Sequence, residues 1–139
     1  DPNGKGLAKA IKAALDTAGY EPEEIDYICA DGVGTKWGDI SETRAIKEVF
    51  GSYAKKIPVS APKSMFGHLL GASGAVDLII TFLAMQDGVI PPTINYQTQD
   101  PECDLDYVPN KCRLKEVKKA LVISRGRGGI NAVLAVERR

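Results

Sequence analysis

The apolar and polar positions of the chain form short blocks that alternate between helical and extended patterns. In GLAKAIKAALDTAGY, Leu7, Ile11 and Leu15 recur at helical spacing, so this block predicts an amphipathic helix that ends at Gly19. The run DYICA after it is short and apolar, which is typical of a strand. A glycine loop that contains Asp31 then leads into a second helix. Loops held on a rigid scaffold in this way often carry functional side chains.

The middle of the chain predicts two helices separated by extended segments. The first is DISETRAIKEVFG, with Asp39 or Ser41 as its cap and Gly51 as its end. The segments KIPVSAPK and VIPPTINY are extended, because their prolines exclude a continuous helix. Between them, residues 67–88 predict a long helix whose second half is apolar nearly all round. Such a helix is usually buried on all sides, so we expect it at the centre of the fold.

The C-terminal region predicts two strands, KKALVIS and INAVLAV, on either side of the glycine-rich RGRGG. Strands and helices alternate along the chain, which favours the α/β class. The other predicted elements are too few to cover both sides of a central helix. The chain also begins at Asp1 instead of methionine. We therefore expect it to be half of a larger structure.

Composition excludes several functional classes. At 139 residues the chain has the length of one domain. Its 18 basic and 18 acidic residues cancel, so charge gives no indication of a nucleic-acid or membrane partner. The three cysteines form no CxxC pair, so we expect no disulfide framework, no zinc site and a reducing compartment such as the cytoplasm. We expect no cofactor, and we find no signal peptide and no uninterrupted apolar run of 18 residues.

The single histidine, His68, is the first candidate for chemistry. A lone histidine is more often structural, but this one lies between glycines and five residues after Lys63. An imidazole can donate or accept a proton near neutral pH, and a lysine can hold a negative charge. Cys29 lies in an apolar strand, where we expect a small core side chain and not a nucleophile.

Two carboxylates and two arginines are further candidates. Asp39 and Glu42 are three residues apart and share a helix face. They either cap the helix and compensate its dipole, or form a buried pair that neutralises Lys63. The glycine segment SRGRGGINAV resembles a phosphate cradle, but a strand follows it where a nucleotide loop needs a helix. We therefore expect a glycine turn, Arg125-Gly126-Arg127-Gly128-Gly129, whose two arginines could meet an anion.

In this order, the segments resemble the C-terminal half of a β-ketoacyl-acyl carrier protein synthase, in the thiolase-like superfamily. The resemblance extends over nearly the whole chain and includes DPNGKGLAKAIKAAL, GDISETRAIKEVFG, GVIPPTINY and CDLDYVPN. Its most specific part is PKSMFGHLLGASGA. It implies a mixed β-sheet with a buried central helix and covering helices. It also implies that residues 1–139 form the C-terminal domain, and that the catalytic nucleophile belongs to an N-terminal half outside this sequence.

The family's condensing enzymes use one cysteine and two histidines, and the resemblance assigns the second histidine to His68 and the family lysine to Lys63. The first histidine belongs to an HGT motif. This sequence has DGV there, so Asp31 replaces histidine and Val33 replaces threonine. The RGRGG turn also replaces one that contains phenylalanine in active ketosynthases.

These replacements resemble the chain length factor, the ketosynthase-β subunit of type II polyketide synthases. The resemblance implies a heterodimer with a ketosynthase-α subunit, which would meet acyl carrier protein and its malonyl and acyl thioesters. In the family this subunit helps to shape the polyketide tunnel and lacks condensing activity. His68 departs from this pattern, because many of these subunits have lost that histidine, and Phe66 stands where active ketosynthases often have threonine.

The chemistry of Asp31 agrees with an inactive subunit. In condensation, two neutral histidines donate hydrogen bonds to the thioester oxygen and stabilise the enolate formed by malonyl decarboxylation. An ionised aspartate offers only acceptors and repels that anion. Two other hypotheses remain open from the sequence: an active elongating ketosynthase with a divergent first histidine position, and a self-contained α/β module that binds a small ligand.

Overall fold

A computed structural model describes residues 1–138 of the chain. The helices are α1 (Lys5–Ala18), α2 (Lys36–Phe50), α3 (Lys63–Phe66) and α4 (Ser73–Asp87). The strands are β1 (Tyr27–Cys29), β2 (Val59–Ser60), β3 (Val89–Ile90), β4 (Arg113–Leu114), β5 (Lys119–Arg125) and β6 (Asn131–Glu137). This alternation confirms the predicted α/β class.

The central sheet is mixed and has the strand order β2-β1-β5-β6. Strand β1 runs parallel to both neighbours, and its Ile28 is paired with Val59 of β2 and Leu121 of β5. Strands β5 and β6 are antiparallel over their full length, from Lys119 with Glu137 to Arg125 with Asn131. The glycine turn that joins them is thus a turn between strands, as the sequence predicts.

Helices cover both faces of this sheet. Ile28 of β1 lies in a core cluster with Leu7 and Ile46 of α1 and α2. Its neighbour Cys29 points to the opposite face, where Met85 of α4 packs. Burial on both faces explains why β1 and β5 are apolar runs without alternation. Helix α1 ends at Gly19, whose φ of 70° is the left-handed conformation of a helix C-cap.

The predicted central helix differs from α4 in its start and in its burial. Residues 67–72 are not part of it: Gly67 and Leu70 have positive φ angles of 86° and 54°, and α4 begins only at Ser73. Its buried face includes polar Ser73, Asp77 and Thr81 as well as Ala84 and Met85. Its opposite face exposes apolar side chains, namely Ile79, Phe82 and Leu83. The prediction of burial on all sides therefore holds for one face of α4 only.

The segment Leu70–Asp87 is long and apolar enough, with a mean hydropathy of 1.2, to cross a membrane by length and composition alone. Core helices of soluble proteins meet the same criterion. In this chain the polar side of α4 packs against protein, as Thr81 and Asp77 are fully buried. The segment is therefore weak evidence for a membrane span.

One further boundary and one strand pair differ from the sequence prediction. Helix α2 begins at Lys36, three residues before Asp39, and neither Asp39 nor Ser41 is its cap. The N-cap residue is Thr35, and its side chain makes no capping hydrogen bond. The short antiparallel pair of β3 and β4, which joins Val89 to Leu114, was not predicted, because two-residue strands leave no periodic pattern.

Candidate functional site

The candidate site lies where β1 and β2 end side by side. Because the two strands are parallel, the residues that follow them meet at one edge of the sheet. Asp31 follows β1 after one residue, and the N–H of the intervening Ala30 donates to the carbonyl of Ser60 over 2.9 Å. Lys63 follows β2 at the start of α3. The topology therefore brings together two side chains that are 32 positions apart.

Lys63 is the cation of a buried cluster with two carboxylates. Its Nζ lies 2.5 Å from Oδ2 of Asp77 and 3.3 Å from Oδ1 of Asp31. The three side chains are at most 3% exposed. Burial opposes the charge on Lys63, but the hydrogen bond with Asp77 and the charge of Asp31 outweigh it and raise the pKa of the lysine. The cluster thus holds an ammonium between two carboxylates.

The negative charge of Asp77 is unfavourably buried in this cluster. Burial raises the pKa of its carboxyl, although the hydrogen bond from Lys63 acts in the opposite direction. Its second oxygen, Oδ1, is buried without a hydrogen-bond partner among residues 1–138. A buried carboxylate oxygen without a partner is unfavourable, so the negative charge of the cluster is only partly compensated.

His68 is held in one tautomer by its neighbours. Its Nδ1 accepts a hydrogen bond from the backbone N–H of Leu70 at 2.9 Å. The same nitrogen lies 3.0 Å from Oγ of Ser73, which itself accepts the backbone N–H of Leu69 at 2.9 Å. The imidazole proton is therefore on Nε2, and His68 presents a neutral N–H donor. This is the state in which a histidine polarises a carbonyl oxygen.

Glu42 does not neutralise Lys63, which corrects one of the two sequence interpretations. Its Oε1 accepts from the backbone N–H of Asp31 at 2.8 Å, and its Oε2 from that of Gly32 at 2.9 Å. Gly32 has a φ of 48°, and an added Cβ would lie 2.3 Å from the Cβ of Ala61, so the loop requires glycine here. Burial raises the pKa of Glu42 to about 7. The role of Glu42 is to hold the loop that carries Asp31.

Asp39 likewise supports the loop and makes no ion pair with Lys63. Its Oδ1 accepts from the N–H of Gly34 at 3.2 Å, and burial raises the pKa of its carboxyl. The predicted pair of Asp39 and Glu42 therefore exists as two loop supports. The carboxylates that neutralise Lys63 are instead Asp31 and Asp77.

The arginines of the glycine turn separate into two roles. Arg125 is the last residue of β5, and its guanidinium donates to the carbonyl of Gly38 at 2.9 Å and to Oγ of Ser41 at 3.0 Å. It joins β5 to the first turns of α2, and its role in meeting an anion stays a prediction. Arg127 is exposed in the turn, and its role in meeting an anion stays a prediction.

A cavity of about 400 Å³ opens beside the cluster. Lys63 and His68 line it together with the loop after β1, the first turns of α2 and residues 93–107. Its remaining charged lining comes from Lys36, Asp39, Glu42 and Asp100.

The buried Cys29 is outside this lining, and burial raises the pKa of its thiol to about 12, so it is not a thiolate at neutral pH. No group of three or more histidine, cysteine or acidic side chains within residues 1–138 is arranged to hold a metal ion.

Asp77 is a member of this site that was not predicted from the sequence. A signal was present, because Asp77 and Thr81 are polar positions four residues apart in an otherwise apolar helix. Four-residue spacing places them on one helix face together with Ser73. A polar stripe on an apolar helix indicates that the stripe faces buried polar partners, but it does not identify Lys63 as the partner.

Residues 1–97 match the family described as Beta-ketoacyl synthase, C-terminal domain. The chain belongs to the β-ketoacyl synthase family. Among curated relatives, this ketosynthase domain is 48% identical over 133 residues to 3-oxoacyl-[acyl-carrier-protein] synthase 2 of Staphylococcus aureus, which covers 96% of the chain and 33% of the relative. It is 47% identical over 137 residues to the synthase of the same name from Synechocystis sp., covering 99% of the chain and 33% of the relative. The chain thus spans about a third of the length of these relatives.

Solved ketosynthase structures have the same fold. One contains a type II polyketide synthase acyl-carrier protein in complex with its ketosynthase bound to the hexaketide; the match has a TM-score of 0.98 and 40% identity, and covers 100% of this chain and 34% of that one. Another is the ishigamide ketosynthase/chain length factor, with a TM-score of 0.94 and 44% identity, covering 99% of this chain and 34% of that one. These matches confirm the thiolase-like fold inferred from the sequence. They include both synthases and chain length factor pairs, so they support the family and not one branch of it.

Proposed function

We propose that the chain is the C-terminal domain of a ketosynthase-like chain length factor. Such a subunit pairs with a ketosynthase-α subunit in the cytoplasm and helps to set the length of a polyketide or acyl chain, without condensing activity of its own. The observation that carries this proposal is Asp31. By the resemblance it stands where the family's condensing enzymes have their first catalytic histidine, and it is ion-paired with Lys63 at 3.3 Å.

The ion pair explains why this site is poor at condensation. An enolate oxygen needs hydrogen-bond donors at its position in the transition state. Asp31 beside an ammonium is a carboxylate, which offers acceptors only. His68 keeps its Nε2–H as one donor, so the site has half of the expected histidine pair. Restoring a histidine at position 31 would supply the second donor.

The comparisons support this proposal in a coarser form. One similar structure is described as a ketosynthase/chain length factor, and another as a ketosynthase in complex with an acyl-carrier protein. By analogy we propose acyl carrier protein as the carrier that brings acyl and malonyl thioesters to the complex. The exposed apolar face of α4 argues against the self-contained ligand-binding module, because monomeric proteins rarely expose large apolar patches.

An active elongating synthase is the second candidate. It is favoured by the curated relatives, which are 3-oxoacyl-[acyl-carrier-protein] synthases, and by the family residues His68 and Lys63. In this case the parent protein condenses acyl and malonyl thioesters with one histidine only. The two candidates differ in whether a ketosynthase partner is required for any product.

The test uses the parent protein with and without a ketosynthase-α subunit, and with acyl and malonyl carrier protein. We expect no β-ketoacyl product from the 139-residue chain or from the parent alone, and products of defined length from the pair, read by mass spectrometry. Product from the parent alone would overturn the proposal in favour of the active synthase. In the parent, Asp31→His should raise malonyl decarboxylation, and His68→Ala should abolish that gain if the two imidazoles share the enolate oxygen.

A further inference from the structure

Ser73 is the first residue of α4, but its side chain does not cap the helix. The N-cap position is Ala72, and no side-chain hydrogen bond caps the first turn. A serine at the start of a helix usually accepts from a backbone N–H within the first turn. Here the side chain, which belongs to a residue that is 2% exposed, turns back towards the segment before the helix. Helix capping therefore does not account for this serine.

The hydroxyl of Ser73 lies between a backbone N–H and the imidazole of His68. Its Oγ accepts from the N–H of Leu69 at 2.9 Å and lies 3.0 Å from Nδ1 of His68. The next N–H along the chain, that of Leu70, donates to the same Nδ1 at 2.9 Å. The serine and the histidine thus bind two successive N–H groups of one turn, which fixes both side chains to the same stretch of backbone.

We propose that Ser73 is a positioning residue for His68: its hydroxyl donates to Nδ1 and so holds the imidazole with its proton on Nε2. The inference deepens the proposed function, and it rests on that function only for the identity of the acceptor that Nε2–H meets, a thioester or enolate oxygen. It concerns how the one retained histidine is held, and it applies equally to a chain length factor and to an active synthase.

The partners of the two side chains give the direction of this hydrogen bond. Nδ1 of His68 accepts from Leu70, so this nitrogen has a lone pair and no proton of its own. A serine hydroxyl has one proton to donate, and the bond from Leu69 uses only a lone pair of Oγ. The proton between Oγ and Nδ1 therefore comes from the serine.

The exposure of His68 is the reason that such a residue matters. The ring is exposed in this chain, so burial does not fix its tautomer or its orientation. A neutral imidazole has its proton on either nitrogen, and the form with the proton on Nδ1 has no donor at Nε2. Each donor that is directed at Nδ1 disfavours that form. Two donors, from Leu70 and Ser73, therefore keep the Nε2–H donor better than the backbone alone.

The imidazole ¹⁵N signals of the 139-residue chain test this role directly. His68 is the only histidine of the chain, so in a preparation without a histidine tag these signals belong to it. The chemical shifts of the two ring nitrogens on the high-pH plateau of a titration give the ratio of the neutral tautomers. We expect the Nε2–H form to dominate in the unaltered chain. In Ser73→Ala, the ratio of Nδ1–H to Nε2–H should rise about fivefold, as expected for the loss of one hydrogen bond.

Two further variants separate positioning from a general effect on α4. Ser73→Thr keeps the hydroxyl and should restore the tautomer ratio of the unaltered chain. Thr81→Val removes another buried hydroxyl of the same helix face, one that donates to the backbone carbonyl of Asp77, and should leave the ratio unchanged. Backbone amide spectra show whether each variant is folded.

An unchanged ratio in Ser73→Ala would overturn the inference, as would an equal rise in Thr81→Val or a folded Ser73→Thr that behaves like Ser73→Ala. If Ser73→Ala fails to fold, Ser73→Cys replaces it, because a thiol is of similar size but a weak donor. The ratio should again rise, and an unchanged ratio would again overturn the inference. The proposed function fails separately, through condensation by the parent alone, and that result would leave the tautomer of His68 as expected.

Discussion

The Nζ atom of Lys63 lies 3.3 Å from Oδ1 of Asp31 and 2.5 Å from Oδ2 of Asp77, so one buried ammonium bridges the loop after β1 and helix α4. The bridge links Asp31, in the loop after β1, to Asp77 on the polar side of α4. Its cation and its anions are not interchangeable, because removal of the cation leaves two buried charges and removal of Asp31 leaves a complete pair.

This asymmetry predicts that substitutions of Lys63 and Asp31 lower the free energy of unfolding by different amounts. Lys63→Met leaves two carboxylates buried without a cation, and we expect it to lower the free energy of unfolding by roughly 3–5 kcal/mol. Asp31→Asn leaves Lys63 paired with Asp77, and we expect a loss of about 1–2 kcal/mol. Urea unfolding followed by circular dichroism measures both values. The surface substitution Lys12→Met, at an exposed ion pair with Glu48, is the control and should cost less than about 1 kcal/mol. A greater loss for Asp31→Asn than for Lys63→Met would contradict this account.

The raised pKa of Glu42 predicts how the free energy of unfolding depends on pH. Its pKa is raised from 4.5 to about 7 by burial, so the folded chain holds a proton that the unfolded chain releases between these two values. The resulting stabilisation is complete below about pH 4.5 and is lost as the pH rises through about 7, with a total on the order of 3 kcal/mol. Glu42→Gln cannot ionise and should flatten this part of the curve of unfolding free energy against pH.

The control for Glu42 lies on the same helix. Glu48 is exposed and paired with Lys12 at 3.3 Å, and Glu48→Gln should leave the slope unchanged. Asp39 and Asp77 also have pKa values raised by burial and contribute to the slope in every variant. The informative quantity is therefore the difference between Glu42→Gln and the unaltered chain. Identical slopes would show that Glu42 stays ionised throughout.

The sequence predicts those elements whose side chains repeat with a clear period. Helix α1 and strands β5 and β6 were predicted close to their observed limits for this reason. The start of α2 was missed, because Lys36, Trp37 and Gly38 have no periodicity and Thr35 makes no side-chain cap. Residues 67–72 were predicted as helix from composition, but the positive φ angles at Gly67 and Leu70 are set by how this segment packs and not by its own pattern.

The site was predictable only in part. His68 and Lys63 stand out in the sequence as a lone histidine and a nearby lysine, and the loop after β1 contains Asp31. The resemblance to a family adds roles for their positions but no contacts. The partnership of Lys63 with Asp77 joins residues 14 positions apart, and local patterns contain no information about it. Glu42 shares a helix face with Asp39, yet its bonds go to backbone N–H groups of the loop at Asp31. Such contacts follow from tertiary packing and override the local interpretation.

Arg125 and Arg127 lie close together in the glycine turn, so replacing each by methionine compares a bonded arginine with an exposed one. Arg125 donates to the carbonyl of Gly38 and the hydroxyl of Ser41, so Arg125→Met should lower the free energy of unfolding by about 1.5–3 kcal/mol. Arg127 is exposed, and Arg127→Met should change stability by less than about 0.5 kcal/mol. Thermal and urea unfolding provide the measurement. Equal losses for both variants would mean that the turn, and not the contact with α2, determines the effect.

The exposed face of α4 predicts self-association of the isolated chain. Ile79, Phe82 and Leu83 are 57%, 48% and 49% exposed, although they belong to the most apolar helix of the fold. Burial of such a face against a second copy removes apolar surface from water at about 25 cal/mol per Å². We therefore expect sedimentation velocity across a concentration series to show dimers or larger species, and a dye for apolar surfaces to bind at low concentration.

Two apolar-to-lysine substitutions test whether self-association depends on the α4 face or on exposed apolar residues elsewhere. Phe82→Lys places a charge in the centre of the face and should shift the chain towards monomer by at least about tenfold in the dissociation constant. Leu114→Lys changes a residue of β4 that is 83% exposed, and should leave self-association unchanged. Phe82 is itself half-exposed, so its replacement should not unfold the chain, and circular dichroism checks this. A chain that stays monomeric at all concentrations without dye binding, or an equal response to both substitutions, would show that α4 does not drive association.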